Sequence, residues 1–348
     1  MKIQRVTLRD VAREAGVANV TVSNILNNSP LPYNAKTREH VQRVARRLGY
    51  RPNTIAQSMR NHHTRLVGML VADVLGSHVS DIISSSEHAL AQAGYQVLLC
   101  QSHGNLDSHE QLIQTLLQRN VDGLLIGVIH SSAHNRLYRQ IHRLGAPLVL
   151  FDSALKGFKD RIPVVESDQL RLTEMAVDHL WERGHRQIRF FAPPLHLTAA
   201  EEQRRGFLEA MRRRGVSRPE EYIVPSGYSE ESGAQAFDAL KTAGKPFTAL
   251  IAFAFCGYGI LDRAKALKLK VPGDFALVTI GGGRESRRMG LIDVDQQPRR
   301  IGEKMAEILL ELVQPKHQGG PASSLATRAG SVEWREKIAP ILMVPTEC

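Results

Sequence analysis

The amino-acid sequence predicts an α/β fold in which a small helical head precedes a two-lobed body with parallel sheets. Three observations support this prediction. The stretch "LRDVAREAGVANVTVSNILN", residues 8–27, holds two short amphipathic runs separated by a glycine. From residue 66 onward, apolar runs alternate with helical ones, which is typical of βαβ units whose helices cover both faces of each sheet. Most of the net positive charge lies in the first 65 residues.

The head begins with a predicted helix-turn-helix. Thr7 and Asp10 have the spacing of a capping box, with Asp in place of the usual Glu, at the start of the first helix. Gly16 permits a tight turn. A second helix is expected to begin near Asn19, with residues 22, 25 and 26 on its apolar face.

The outward face of this second helix is polar, unlike the face of a helix buried in a core. Short polar side chains at the start of an exposed helix can reach base edges and phosphates. The outward residues are Asn19, Val20, Thr21, Ser23, Asn24 and Asn27. An ordinary pair of bundle helices would fit the periodicity, but it would not explain the polar face.

A third helix, "AKTREHVQRVARRLGY", completes the head, and Gly49 is expected to end it. Residues 1–65 contain twelve lysines and arginines against three acidic residues, so they carry +9 of the chain's net charge of +10. A basic head on a nearly neutral body favours a polyanionic partner. A solvated basic face is the alternative that charge alone leaves open.

Residues 51–65 follow as a hinge and linker. The stretch "RPNTIAQSMRNHH" can form a short helix but has too few apolar residues to fold alone. The predicted domains are therefore a helix-turn-helix domain at 1–50, a hinge at 51–65 and a body at 66–348. Within the body, the lobes are expected at about 66–160 and 163–292, with a C-terminal crossover between them.

The body's first lobe is predicted from the strand candidates "LVGMLV", "YQVLLC", "DGLLIGV" and "PLVLFD". The second lobe is predicted from the strand candidates "QIRFFAP", "TALIAFAF" and "FALVTIGG", which have helical runs between them. Ligands of such sheets bind beyond the carboxyl ends of the strands, so a site is expected in the cleft between the lobes.

Composition argues against several protein classes. No apolar run reaches 18 residues, the N-terminus has no signal-peptide core, and the three cysteines are widely spaced. A cytoplasmic, nucleoid-associated protein is therefore expected. No catalytic constellation, metal-ligand spacing or nucleotide loop is present, so the sequence predicts neither an enzyme nor a cofactor.

Several stretches together resemble the LacI/GalR family of bacterial repressors. They include "VTLRDVAREAGVANVTVSNILN", "TRLVGMLVADV", "VDGLLIG", "GFLEAMRRRG" and "VPGDFALVTIGG", so the resemblance covers nearly the whole chain. It implies a periplasmic-binding-protein-like core, a homodimer on a palindromic double-stranded DNA operator, and a small-molecule effector, a sugar or sugar derivative being one candidate.

The resemblance also implies which residues contact DNA. In the family, the second helix lies in the major groove, and a hinge leucine wedges a base step in the minor groove. Met59 occupies the matching position here, and Asn24 of the second helix stands where family members often carry arginine. The expected DNA-contacting residues are Thr7, Asn19, Val20, Thr21, Ser23, Asn24, Asn27, Arg38, Asn53, Ala56 and Met59.

An effector site is expected at the ends of the body's strands. Its candidate residues are Asp73, His78, His103, His130, Asp152, Gln203, Phe255, Gly281 and Gln296. Four positions depart from the family pattern. Ala254-Phe255 replaces an Asn-Asp pair, Gly281 replaces an Asp, and Gln203 replaces an Arg. A sugar site needs fixed donors and acceptors, because unpaired buried hydroxyls cost roughly 1–3 kcal/mol each.

These losses leave three possibilities open for the effector. Phe255 could stack on an apolar sugar face, the effector could be less polar, or the second lobe could bind none. The three histidines could line the cleft or be ordinary loop residues. A small-molecule binding protein without a DNA role is the alternative function, and the complete head argues against it.

Overall fold

The computed structural model describes residues 6–27, 31–50, 63–158, 162–313 and 335–345. It divides into two compact units, Met1–Thr64 and Arg65–Cys348, and each is described by itself.

The first unit is a three-helix head with a shared apolar core. Its helices are α1 Leu8–Ala15, α2 Asn19–Leu26 and α3 Ala35–Arg47. Val11, Val22, Ile25 and Val41 are fully buried where the three helices meet. Helices of eight residues are too short to be stable alone, so this mutual burial holds α1 and α2 in place.

The second unit contains two six-stranded sheets. The first sheet has the strand order β11-β5-β4-β3-β1-β2, and all of its pairs are parallel. Its elements in chain order are β1 Leu66–Val71, α4 Ser77–Gln92, β2 Gln96–Gln101, α5 Leu106–Gln118, β3 Gly123–Gly127, α6 Asn135–Arg143, β4 Leu148–Phe151 and β5 Val164–Ser167, with β11 Arg335–Ile338 returning near the C-terminus.

The second sheet has the order β12-β10-β9-β8-β6-β7, with only β12 antiparallel to its neighbour. Its elements are α7 Gln169–Glu182, β6 Ile188–Ala192, α8 Thr198–Arg213, a 3₁₀ turn Pro219–Tyr222, β7 Ile223–Pro225, α9 Glu230–Thr242, β8 Ala249–Phe253, α10 Ala254–Ala266, β9 Ala276–Ile280, α11 Gly283–Arg288, β10 Ile292–Asp295 and β12 Ile341–Met343.

Helices cover both faces of each sheet, as continuous apolar strands require. In the first lobe, Met69 packs toward α4 and α12 (Pro298–Val313), while its neighbour Leu70 packs toward α5 and α6. In the second lobe, Phe190 faces α7 and α8, and Phe191 faces α9 and α10.

The predicted boundary between the lobes requires a correction. We expected the second lobe to begin near residue 163, but β5 pairs in parallel with β4 and belongs to the first sheet. The chain therefore crosses at Asp168, the N-cap of α7. The four-residue strand β5 has too little pattern of its own to show which sheet it joins, because that choice depends on its pairing partners.

A charged cluster lies where the chain passes between the lobes. Glu166 of β5 is fully buried and accepts a hydrogen bond from Arg335 of β11. Arg335 also pairs with Glu202 of α8 at 2.8 Å, and Lys337 lies 3.1 Å from the same carboxylate. Burial raises the pKa of Glu166 to about 7, although Arg335 opposes the shift. The second oxygen of Glu166 has no partner in the described part of the chain.

Glu166→Gln is expected to stabilise the protein above neutral pH. A carboxyl whose folded pKa is raised favours the folded state while it is protonated, and this contribution is lost as pH rises from its ordinary value through about 7. The variant removes that loss, so its free energy of unfolding at pH 8 should exceed wild type by roughly 1–3 kcal/mol. Denaturant unfolding at pH 8 and pH 5 measures the difference, which should nearly vanish at the lower pH.

Glu202→Gln is the matched control for this experiment. Glu202 pairs with two cations, so its loss should destabilise the protein at both pH values. A Glu166→Gln variant less stable than wild type at pH 8 would show that the ion pair outweighs the cost of burying the charge.

Candidate functional site

The turn between α1 and α2 leaves the start of α2 exposed. Gly16 adopts φ +64°, a left-handed conformation that favours glycine, and α2 starts three residues later. Its N-cap is Ala18, and within the described residues no side chain caps the helix. Asn19 and Val20 are exposed, Val20 by 64%. The first turn of α2 thus presents side chains and backbone N–H groups outward.

The remaining predicted contacts of α2 are half-buried and partly engaged within the head. The amide nitrogen of Asn24 donates to the hydroxyl of Tyr33 at 2.8 Å. Asn27 donates to Ser23 at 3.3 Å. Sequence reasoning missed Tyr33, which lies in the loop before α3, where no periodic pattern indicates a role.

The other predicted DNA-contacting residues lie outside α2, and they differ in burial and in the contacts they make within the head. Thr7 forms the expected capping box, with its backbone N–H donating to Asp10 at 2.9 Å and its side chain accepting from the Asp10 N–H at 3.3 Å. Arg38 is half-buried on α3. Asn53, Ala56 and Met59 lie outside the described residues.

In the body, the first lobe brings two of the predicted effector residues into contact. Asp152 follows β4 in a left-handed conformation, φ +63°, and its Oδ1 lies 3.0 Å from Nε2 of His78. His78 lies in the first turn of α4. Burial alone would lower the pKa of His78, but Asp152, with Asp295 and Asp293 farther off, raises it above the ordinary value.

The other predicted residues of the first lobe make separate contacts. Gln101 donates to Asp73 at 3.2 Å and lies 3.1 Å from Nδ1 of His103. His130 stacks on His196 of the second lobe, with ring centroids 5.6 Å apart. His130 therefore lies at a contact between the lobes.

Two of the positions that depart from the family pattern lie in close contacts that involve a glycine. A side chain at Gly76 would meet the ring of Phe255 at 2.8 Å, so Phe255 packs against the first lobe's backbone. A side chain at Gly281 would meet the amide of Gln296, which is 6% exposed. Gln296 thus occupies space that a larger residue at 281 would need.

Gln203 lies on the interface between α7 and α8. Its amide nitrogen donates to Gln169, and it is 3% exposed. Its Oε1 has no hydrogen-bond partner in the part of the chain that the structure describes. The geometry does not join Gln203 to the His78–Asp152 pair.

Several residues that the sequence did not single out also lie at the strand ends. Tyr228 follows β7 and packs edge-on against Phe253, with centroids 5.3 Å apart. Burial and the nearby Asp152 carboxylate raise the pKa of Tyr228. Thr198 at the start of α8 lies 2.8 Å from the Ser153 hydroxyl, joining the lobes. β7 has only three residues, too few for a sequence pattern.

The loop after β9 is short, because α11 begins at Gly283. Asp293, fully buried on β10, accepts from the N–H groups of Gly282 and Gly283 at 2.9 Å. This carboxylate replaces a side-chain cap and fixes the loop at the edge of the cleft.

Comparison with known proteins decides the family. Residues 7–53 match the model of bacterial regulatory proteins of the lacI family, and residues 64–254 match the model of periplasmic binding proteins and the sugar-binding domain of the LacI family. Residues 177–335 match a periplasmic binding protein-like domain. The chain belongs to the LacI family of bacterial regulatory proteins. This membership confirms the predicted resemblance and the predicted fold. It also confirms the prediction of a regulatory protein rather than an enzyme.

Curated relatives extend over the same length. The HTH-type transcriptional repressor PurR of Proteus mirabilis (strain HI4320) is 30% identical over 319 residues, covering 90% of this chain and 92% of that protein. The PurR repressor of Photorhabdus laumondii is 29% identical over 327 residues, with the same coverage.

Solved structures share the fold of this LacI-family protein. The Lac repressor dimer bound to operator and the anti-inducer ONPF has a TM-score of 0.81 at 22% identity, over 97% of this chain and 98% of that one. The complex of the transcriptional regulator CelR with cellobiose has a TM-score of 0.70 at 25% identity, over 98% and 99%. Among the described residues, no helix is both long and apolar enough to cross a membrane.

Proposed function

We propose that this LacI-family protein is a cytoplasmic transcriptional repressor that binds a palindromic DNA operator as a homodimer. The observation that carries the proposal is the exposed first turn of α2 on a head with nearly all of the chain's net charge. Asn19 and Val20 offer side chains to base edges, and the uncapped helix start suits a phosphate. The relatives named as repressors support the same reading.

A homodimer is supported by an exposed apolar edge on the body. β2 is the last strand of the first sheet, yet Leu98 and Leu99 are 38% and 41% exposed. Edge strands of monomers usually carry charges or are covered, because an apolar edge invites association. Val74 and Leu75, which follow the neighbouring strand β1, are exposed as well. We infer that a second copy covers this apolar edge, defined by residues 74, 75, 98 and 99.

We further propose that a small-molecule effector binds in the cleft between the lobes. Asp152, His78, Phe255 and Gln296 follow strand ends, where ligands of parallel sheets bind. Contacts between the lobes, such as His130 with His196, would change if the lobes moved. A ligand that binds one arrangement of the lobes better than another would thereby alter operator affinity.

Selection of bound DNA from a random duplex library tests the proposed function. We expect a near-palindromic sequence, because one α2 helix reads too few base pairs for useful specificity. Gel-shift titration should then show a dimer on the full site and much weaker binding to a half-site. Recovery of no preferred sequence, with a small ligand still bound by the body, would favour a binding protein without a DNA role.

Operator binding is expected to weaken steeply with salt, because the basic head displaces counterions from phosphates. Arg38→Ala should reduce the slope of log affinity against log salt by about 1. Arg218→Ala is the control, since Arg218 is an exposed residue of the body that pairs with Glu221 at 2.8 Å. If the Arg38→Ala variant leaves this slope unchanged, Arg38 does not contact a phosphate.

A further inference from the structure

The loops at the carboxyl ends of the strands are acidic rather than basic. They include residues 72–76, 102–105, 128–134, 152–158, 168, 193–197, 226–229, 281–282 and 296–297. Their described residues include Asp73, Asp152 and Asp168, and Lys156 is paired with Glu201. Arg284 and Arg299, in the first turns of the helices that follow β9 and β10, both pair with Asp81 of α4, at 3.4 and 3.5 Å. These guanidinium groups are therefore already engaged by a carboxylate.

Asp152 keeps an acceptor available despite its bond to His78. Oδ1 takes the contact with His78, and Oδ2 makes no hydrogen bond to a described residue. The side chain is 31% exposed. Asp295 and Asp293 lie near enough to influence His78 as well, so negative charge remains around the pair even when the imidazole is protonated.

Aromatic rings complete this side of the cleft. Tyr228 and Phe253 pack edge to face, and Tyr228 is close enough to Asp152 for the carboxylate to affect its hydroxyl. Phe255 lies against Gly76 of the first lobe and 6.1 Å from the ring of Tyr258. Aromatic faces attract cations and apolar surfaces.

We propose that the cleft binds an effector with a protonated amine on an aromatic or apolar body. Asp152 would hold the amine, and Tyr228, Phe253 and Phe255 would contact the body. This inference rests on the proposed effector site. It follows from three features that point the same way: acidic strand-end loops, the oxygen of Asp152 that bonds no described residue, and an aromatic wall.

Three compounds of similar shape and different charge test the proposal on the full-length protein. They are 2-phenylethylamine, 2-phenylethanol and 3-phenylpropanoate, each titrated by calorimetry at the same pH. We expect the amine to bind at least about tenfold more tightly than the alcohol, since it adds a charge pair and a cation–π contact. The carboxylate should bind most weakly of the three.

Asp152→Asn should remove the advantage of the amine over the alcohol and leave the folded protein intact by circular dichroism. Asp262→Asn is the control, because Asp262 is an exposed residue of α10 paired with Lys265. Equal binding of the three compounds, tighter binding of the carboxylate, or no binding of the amine would each overturn the proposal. Operator binding is measured without any of these compounds. A failure of the effector proposal can therefore be distinguished from a failure of the proposed repressor function.

Discussion

Leu99→Glu is expected to convert the protein to a monomer and to lower its affinity for a full operator by about 10² to 10⁴. A charge on the apolar edge would have to be buried against the second copy, without a partner to offset its desolvation. Two linked heads bind one duplex with a high effective concentration, and a monomer loses that advantage. Analytical ultracentrifugation measures the oligomeric state, and gel-shift titration measures the affinity.

Leu144→Glu is the matched control. Leu144 is 69% exposed at the end of α6, a helix between β3 and β4, and these strands lie in the interior of the sheet whose edge is β2. Its replacement should change neither the oligomeric state nor the operator affinity. Leu98→Glu, on the opposite face of the same strand, provides a second test. Dimers that persist in both β2 variants would show that the homodimer uses another surface.

The parts of the fold that could be predicted from the sequence are those set by neighbouring residues. The capping box of Thr7 and Asp10 and the left-handed Gly16 both formed as expected, because each depends on a few adjacent positions. Long apolar strands such as β1 and β3 were equally evident, since a buried parallel strand needs an unbroken apolar run.

Short strands depend on distant partners and escaped prediction. β5 has four residues, and its pairing with β11 joins Val164 to Arg335. β7 and β12 have three residues each. For such segments the choice of sheet is decided by packing across the whole lobe and not by local propensity.

The candidate site was predictable as a list of positions but not as a set of contacts. Strand ends placed His78 and Asp152 in the same region, yet their hydrogen bond joins residues 74 positions apart. The packing of Phe255 on Gly76 likewise depends on how two lobes meet. The head has a similar case, because Asn24 was expected to face outward alone and instead donates to Tyr33.

The hydrogen bond from Asn24 to Tyr33 leads to a prediction with a specific control. Asn24→Arg is expected to shift operator preference toward guanine at one symmetric pair of positions. Asparagine is donor and acceptor together and suits adenine, whereas arginine offers two donors to the O6 and N7 of guanine. The family resemblance implies arginine here, so the natural operator should lack guanine opposite residue 24. The change should be on the order of 1–3 kcal/mol per base pair, measured by repeating the library selection with the variant.

The Tyr33→Phe variant distinguishes two roles of Asn24, which are reading a base and stabilising the head. This variant keeps Asn24 but removes the hydroxyl that accepts its amide N–H at 2.8 Å. If Asn24 reads a base, Tyr33→Phe should lower affinity modestly through a less fixed side chain, and the preferred sequence should not move to guanine. If Asn24 instead serves only to tie α2 to the loop before α3, both variants should weaken all sequences to the same extent. A uniform loss in Asn24→Arg would therefore refute direct reading and leave the exposed Asn19 and Val20 to set the sequence.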